Sequence, residues 1–231
     1  MKYFTLLLIS SCLLSLTAFN QPTRSIRVKA GDDVAQAYSP QGFYRLPQFS
    51  KAILYYSDGK AGTAQQFNFN LLSSNLQFIG PKGDTLDLSG QSKIDSIVFD
   101  KLTLLYDDGF MEIVSRADSV MLLKKVVIKT QAENIGAYGQ PNNTASILNI
   151  KSFQTSNGVF SLILAQDVVV SESTSWFFMD KNRNLVKANK SNLSKVLSSN
   201  AQARADAYLK QNKTSFEKEA DLKKLMEAIA M

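Results

Sequence analysis

The sequence of 231 residues contains no histidine and a single cysteine, Cys12. The missing histidine excludes Ser-His-Asp and Cys-His catalysis, histidine-ligated zinc and haem, and histidine-based pH switching. One cysteine cannot form a disulfide within the chain or a zinc site made of cysteines alone. No other catalytic constellation stands out. The sequence therefore predicts a non-enzymatic protein without a metal ion or a cofactor.

The remaining composition is that of an ordinary globular protein, with 45% apolar and 20% charged residues. A chain of this length buries roughly 70% of the surface that its unfolded form exposes. Core burial alone can therefore stabilise the fold, and the lack of disulfides does not exclude export.

The N-terminus has the layout of a secretory signal peptide. A short positive start, Met1-Lys2-Tyr3, precedes an apolar stretch over 4–19, and the chain turns polar at Asn20-Gln21-Pro22. The stretch is shorter than the roughly 20 apolar residues of a transmembrane helix and is diluted by serine and threonine. We expect a signal peptide over 1–20, cleavage after a residue between Ala18 and Asn20, and an exported protein.

A lipoprotein anchored at Cys12 is the alternative. Leu8-Ile9-Ser10-Ser11 leads into that cysteine, but the apolar region before it is short. Residues 13–16 after it are still mostly apolar, whereas a lipoprotein anchor is usually followed by a polar tether. The first interpretation is therefore preferred.

The net charge of +6 belongs to the C-terminal part of the chain. Residues 1–180 carry 15 basic and 15 acidic residues, and residues 181–231 carry 11 basic and 5 acidic residues. Such a region can attract nucleic acid, anionic lipid or an acidic protein. Export argues against nucleic acid, which leaves an envelope protein or an anionic surface. The candidate basic face comprises Lys195, Arg204, Lys210, Lys223 and Lys224, and the alternative is an ordinary solvated helical face.

Residues 43–188 have the pattern of an antiparallel β body. Phe67, Phe69 and Leu71 alternate with Asn68 and Asn70, which is typical of a half-buried strand. Strand-like runs are separated by turn signals that favour tight hairpins; these are Asp58-Gly59, Gly80–Asp84, Asp107–Gly109 and Ser156–Gly158.

No helical pattern intervenes between these strands, which argues against parallel βαβ units. The predicted fold class is mainly β (α+β overall), with an antiparallel meander that forms a sandwich or a barrel-like body. Residues 21–42 show no strong pattern and are expected to be an extended lead-in. The lysine pair Lys124-Lys125, within the strand-like run Val120–Lys129, predicts an edge or rim strand.

Residues 189–231 are expected to form a basic helical tail packed on the body. Short helices are predicted over 192–199 and 201–210. A third is predicted to begin with a capping box made by Thr214 and Glu217. Its apolar stripe is the clearest helical signal in the chain and comprises Phe216, Ala220, Leu222, Leu225, Met226 and Ile229.

Two further features suggest binding. The irregular segment that contains Gly136, Tyr138 and Gly139 is a candidate binding loop, because loops on rigid sheets often carry function; a structural turn is the alternative. Trp176 fits either a core strand or an aromatic platform. In the alternative function, the strands enclose a small lipophilic molecule in a cavity lined by Phe67, Phe69, Phe78, Phe160 and Trp176.

Several turns, strands and parts of the lysine-rich tail form recognisable motifs; they are Phe67–Leu72, Leu76–Ile79, Pro81–Leu86, Ile135–Gly139, Tyr208–Lys210 and Asp221–Leu225. Through these motifs, most of residues 50–228 resembles uncharacterised exported proteins of Bacteroidota-type bacteria. The resemblance implies a β-rich body with a helical tail in the envelope of a Gram-negative cell, and so a periplasmic or outer-membrane-associated protein. It implies no catalytic residue. We therefore expect an exported binding or scaffolding protein of the cell envelope.

Overall fold

A computed structural model describes residues 23–40, 42–132, 134–135, 141–142 and 166–231. The predicted signal peptide, the candidate loop with Gly136, Tyr138 and Gly139, and the predicted turn Ser156–Gly158 lie outside the described residues.

The described segments contain strands first and helices last, apart from one short helix near the start and a 3-10 helix, Gln91–Lys93, between the fifth and sixth strands. The elements are β1 (Thr23–Val28), α1 (Val34–Tyr38), β2 (Ser50–Tyr56), β3 (Gln65–Asn70), β4 (Asn75–Ile79), β5 (Thr85–Asp87), β6 (Ile94–Val98), β7 (Thr103–Tyr106), β8 (Phe110–Ala117), β9 (Val120–Ala132), β10 (Asn134–Ile135), β11 (Pro141–Asn142), β12 (Val168–Asp180), β13 (Leu185–Lys187), α2 (Lys190–Leu193), α3 (Ser199–Gln211) and α4 (Glu219–Ala230).

Eleven of these strands form one open antiparallel sheet. The strand order is β1-β12-β9-β8-β7-β6-β2-β3-β4-β5, with β13 paired to β12, while β10 and β11 form a separate ribbon. The predicted corners at Asp58-Gly59, Gly80–Asp84 and Asp107–Gly109 connect β2 to β3, β4 to β5 and β7 to β8. The predicted mainly β class is confirmed.

The sheet is strongly curled although it does not close. The rings of Phe69 in β3 and Phe110 in β8 lie 5.5 Å apart, centroid to centroid. Four strand steps separate β3 from β8, which would be roughly 19 Å in a flat sheet with strands about 4.8 Å apart. The two halves of the sheet therefore face each other across a shared core, and we call this side the inner face.

Apolar side chains form three clusters. The first lies on the inner face and includes Phe67, Phe69 and Phe110. The second joins the sheet to the C-terminal helices through Phe178 and Leu225. The third consists of Leu105, Met111, Leu123 and Met179, which lie on the opposite, outer face. Both faces of the central strands are therefore packed.

The prediction that Lys124 and Lys125 mark an edge or rim strand is wrong. β9 lies inside the sheet between β8 and β12. The ammonium group of Lys124 contacts Glu219 of α4 at 3.2 Å and lies 5.6 Å from the centre of the Trp176 ring. Lys125 donates to the carbonyl oxygen of Asp108 at 3.0 Å. These partners let an interior strand carry two adjacent positive charges.

The prediction that β3 is a half-buried strand is also wrong, because the face that carries Asn68 and Asn70 is covered. Asn68 is 1% exposed and Asn70 is 8% exposed. The chain segment before β2 runs along β3, with backbone hydrogen bonds from Arg45 to Phe69 and from Leu71 to Phe43, both 2.9 Å. This segment excludes water from the face where the asparagines point.

The expected lead-in contributes regular structure. From Thr23 to Val28 it forms β1, which pairs with β12 along the edge of the sheet. The Asp33 carboxylate then accepts hydrogen bonds from the backbone of Ala35 and Gln36, and so caps the short helix α1. Tertiary pairing with a distant strand, which local sequence patterns do not encode, orders this segment.

The C-terminal segment is helical, and Leu222, Leu225, Met226 and Ile229 of the α4 stripe are fully buried. The predicted capping box of Thr214 and Glu217 does not form, since α4 begins at Glu219. The Thr214 hydroxyl donates to the carbonyl oxygen of Asn212 instead. The Asp221 carboxylate accepts the backbone N–H of Ser215 at 2.9 Å and holds the turn before the helix.

Candidate functional site

The outer face of the sheet exposes side chains that its register brings together. Tyr55 in β2 lies opposite Ser96 in β6, and Ile53 lies opposite Val98. Val98 in turn pairs with Thr103 of β7. The residues between them along the strands, such as Leu54 and Ile97, point into the inner core.

These side chains form a groove of about 590 Å³. Its floor is the outer face of β2, β6 and β7, one wall is the turn after β2, and Arg116 of β8 stands on the other side. The lining residues are Tyr55, Tyr56, Ser57, Gly59, Asp95, Ser96, Val98, Thr103 and Arg116. Four separate stretches of the chain therefore build one surface feature.

The groove combines exposed apolar surface with hydroxyl groups. Tyr55 is 40% exposed, and Val98 and the neighbouring Ile53 are each 37% exposed. A tyrosine ring offers an apolar face together with a polar tip, which suits a partly wetted binding surface. The hydroxyls of Ser96 and Thr103 add short, rigid hydrogen-bonding groups beside it.

Two charged residues, Asp95 and Arg116, line the groove, and they differ in whether an opposite charge lies beside them. Asp95 is neutralised by Arg183, whose guanidinium lies 2.6 Å from its carboxylate. Arg183 belongs to the β12–β13 turn and also donates to the carbonyl oxygen of Tyr106. Arg116 is exposed, and its side chain donates to the sulfur of Met121 at 3.0 Å. No carboxylate within the described segments pairs with Arg116, so the groove presents one uncompensated positive charge.

The groove lining offers one carboxylate, one guanidinium group and several hydroxyls. The carboxylate, Asp95, is held by Arg183. Across the described parts of the chain, no three acidic or cysteine side chains come together as a metal site. The lining of the groove contains one cation, two tyrosines and several hydroxyls, which can hold a ligand by packing and hydrogen bonding.

The basic face predicted from the sequence is partly engaged within the tail itself. Lys223 pairs with Glu219 at 2.8 Å, and hydrogen bonding to Lys223 is the main reason that the pKa of Glu219 is lowered. Arg204 donates to the carbonyl oxygen of Ile229 at 2.8 Å, and Lys195 donates to Asn192. Lys210 and Lys224 are exposed to solvent.

The aromatic residues considered for a cavity are packed in the core where the structure describes them. Phe67 contacts Phe78 with ring centres 6.3 Å apart, and Phe69 packs on Phe110. The indole N–H of Trp176 donates to the carbonyl oxygen of Glu217 at 3.2 Å. Trp176 is therefore a core residue that joins the sheet to the tail, and Phe160 lies outside the described residues.

Tyr44, Gln77 and Asp87 form a polar cluster where the segment before β2 covers β3 and β4. The Tyr44 hydroxyl donates to the Gln77 side chain at 2.8 Å, and the amide group of Gln77 donates to Asp87 at 2.6 Å. Burial raises the pKa of Tyr44 to about 12, with a smaller contribution from the negative charge of Asp87. The raised pKa means that the Tyr44 hydroxyl stays neutral, and keeps its hydrogen bond to Gln77, to a higher pH in the folded protein than in the unfolded chain.

This raised pKa predicts a loss of stability in alkaline solution. An unfolded tyrosine ionises near pH 10, so the contribution of Tyr44 is complete below about pH 10 and is lost as the pH rises towards about 12. We expect Tyr44→Phe to cost about 0.5–1.5 kcal/mol at neutral pH through the lost hydrogen bond. Above about pH 10 its free energy of unfolding should fall less steeply than that of the wild type.

Urea unfolding at pH 8 and at about pH 10.5 measures this difference, because the two pH values bracket the ionisation of an unfolded tyrosine. Tyr55→Phe is the matched control, since it removes the hydroxyl of an exposed tyrosine. Equal slopes for the wild type and Tyr44→Phe would contradict the assignment.

The groove was not predicted from the sequence, because its residues are far apart in the chain. The available signal was the outward side of β2 and β6, where Ile53, Tyr55 and Val98 alternate with buried residues. Large apolar residues on both sides of a strand predict that its second face is also in use. The sequence alone does not show which other strands supply the remaining groups.

No protein-family model, curated protein or solved structure matches this chain. No helix in the described segments combines the length and the apolar character needed to cross a bilayer.

Proposed function

We propose that this is an exported, non-enzymatic binding protein of the bacterial cell envelope, which contacts its ligand through the outer-face groove. The observation that carries the proposal is the position of Tyr55, Val98 and Arg116 on one exposed surface of a rigid sheet. The signal-peptide layout and the resemblance to exported Bacteroidota-type proteins support the cellular location.

The groove is favoured over the basic tail as the main contact surface. Among the predicted basic residues, Lys223 pairs with Glu219, and Arg204 and Lys195 donate to oxygen atoms of the tail. Within the described residues, the Arg116 side chain donates instead to the weaker sulfur acceptor of Met121. A charge already satisfied in the folded protein gains less from a partner than one that is not. The tail can still add weak attraction to an anionic surface through Lys210 and Lys224.

A surface-binding role is also favoured over a lipophilic carrier. Phe67, Phe69 and Trp176 are buried and make contacts within the protein. The described groove is open and has hydroxyl and charged groups in its lining, whereas an apolar ligand favours a cavity lined mostly by apolar groups.

Site-specific photocrosslinking in the native host tests this function. A photoreactive phenylalanine analogue at position 55 of the full chain is expected to form an adduct in the envelope fraction. The same analogue at position 66, an exposed residue of β3, is the control. Recovery of the protein in the cytoplasm with Met1 retained, or equal adducts at both positions, would contradict the proposal.

A further inference from the structure

The chemistry of the groove identifies a class of ligand. Resting on the proposed function, we infer that the outer-face groove binds a saccharide that carries an acidic group. Tyr55 would pack against the sugar ring, Ser96 and Thr103 would hydrogen-bond its hydroxyls, and Arg116 would pair with its carboxylate or sulfate.

The aromatic and hydroxyl groups fit a sugar because a sugar is amphipathic in the same way. A pyranose ring has faces of C–H groups and a rim of hydroxyls. Tyr55 opposes Ser96 across the strand pair, and Val98 opposes Thr103. Each apolar surface in the groove floor is thus beside a hydroxyl, an arrangement that can contact the C–H face and the rim of one sugar unit together.

The charge of the groove selects an acidic ligand. Arg183 neutralises Asp95, whereas Arg116 contacts only the weak sulfur acceptor of Met121 among the described residues. A guanidinium group matches the geometry of a carboxylate or a sulfate and can donate two parallel hydrogen bonds. A neutral sugar would leave this group without a partner.

An extended peptide fits less well. Peptides that bind to sheets commonly add a strand at an edge and use its free backbone groups. β6 is paired on both sides, to β2 and to β7, so the groove floor has no free backbone edge along it. The floor also lacks the alternating apolar pockets that would receive peptide side chains, since Val98 is the one aliphatic residue in the lining.

The test is a titration of the purified full chain with four probes. These are oligogalacturonate, sulfated dextran oligomers, neutral dextran oligomers of similar length, and polyglutamate. Methyl NMR signals of Val98 and Ile53 report on the groove, and those of Ile229 report on the buried tail. We expect at least one acidic saccharide to shift the groove signals, and the neutral oligomers to bind at least about tenfold more weakly.

Three variants assign the interaction to its residues. Arg116→Ala and Tyr55→Ala should each weaken binding about tenfold or more, and Arg116→Lys should retain part of the affinity. Lys129→Ala is the matched control, because it removes an exposed positive charge from the same face of the sheet outside the groove, and its affinity should change by less than about twofold. An unchanged melting temperature shows that each variant is folded.

Equal binding of neutral and acidic oligomers, stronger binding of polyglutamate, or no shift with either acidic saccharide would each overturn the ligand class. These failures are distinct from failure of the proposed function. Loss of the adduct at position 55 in the envelope would overturn the groove as a contact surface, whatever the four probes show.

Discussion

Leu225→Ala is expected to lower the free energy of unfolding by about 2–5 kcal/mol, the range for a leucine deleted from a packed core. Leu225 is fully buried in the cluster where α4 meets the sheet, together with Leu222, Met226 and Phe178. Truncation removes apolar contacts and leaves a cavity that the neighbouring helix and strands can only partly fill. Urea unfolding followed by circular dichroism measures the change.

The adjacent residue supplies the control. Lys224→Ala changes an exposed side chain on the same helix and should alter the free energy of unfolding by less than about 0.5 kcal/mol. Trp176 provides a second probe, because its indole contacts the turn before α4. A loss below about 1 kcal/mol for Leu225→Ala would contradict tight docking of the tail.

Asn68→Ala is expected to cost about 2–4 kcal/mol, because it removes three hydrogen bonds from a buried position and leaves their partners unsatisfied. One of the three is accepted from the backbone N–H of Phe69 at 2.8 Å. The Asn68 side chain accepts the backbone N–H of Leu46 at 3.1 Å and donates to the carbonyl oxygen of Leu46 at 2.9 Å. The carboxamide thus makes the two hydrogen bonds to Leu46 that the backbone of a neighbouring strand would otherwise make, and it holds the segment before β2 against β3. Urea unfolding at neutral pH measures this loss.

Gln66→Ala is the matched control for this position, since Gln66 is an exposed polar residue in the same strand. Its effect should stay within about 0.5 kcal/mol. If Asn68→Ala is as mild as Gln66→Ala, the carboxamide does not hold this segment.

The sequence predicted the elements whose signals are local. Hairpin corners such as Asp107–Gly109 require backbone angles that aspartate and glycine adopt, and Asp108 and Gly109 have φ of 48° and 109°. The stripe of α4 follows from the helical period and from the need to bury one face. These features need no knowledge of which distant segment lies alongside.

The features that the sequence did not predict depend on distant neighbours. Lys124 is compatible with an interior strand because Glu219 and Trp176 lie beside it, and both come from much later in the chain. Asn68 is buried because a segment before β2 covers it. The period-two pattern correctly gives alternation of side chains, but it does not say whether the second face is covered.

The same limit applies to the binding surface. The charge of the tail is concentrated along the sequence and is therefore visible in it. The groove instead combines a few residues each from β2, the turn after it, β6, β7 and β8. A lone Arg116 is unremarkable in a sequence. It becomes distinctive once the structure shows that Asp95, the acidic residue in the groove, is held by Arg183.

The most direct test of the central proposal compares the two surfaces in one assay. Sedimentation of the full chain with native envelope fractions is measured for a groove variant, Tyr55→Ala with Arg116→Ala, and for a tail variant, Lys210→Glu with Lys224→Glu. At physiological salt we expect the groove variant to lose about tenfold or more in affinity and the tail variant to change by less than about threefold. Full retention by the groove variant, with loss of binding by the tail variant, would contradict the proposal.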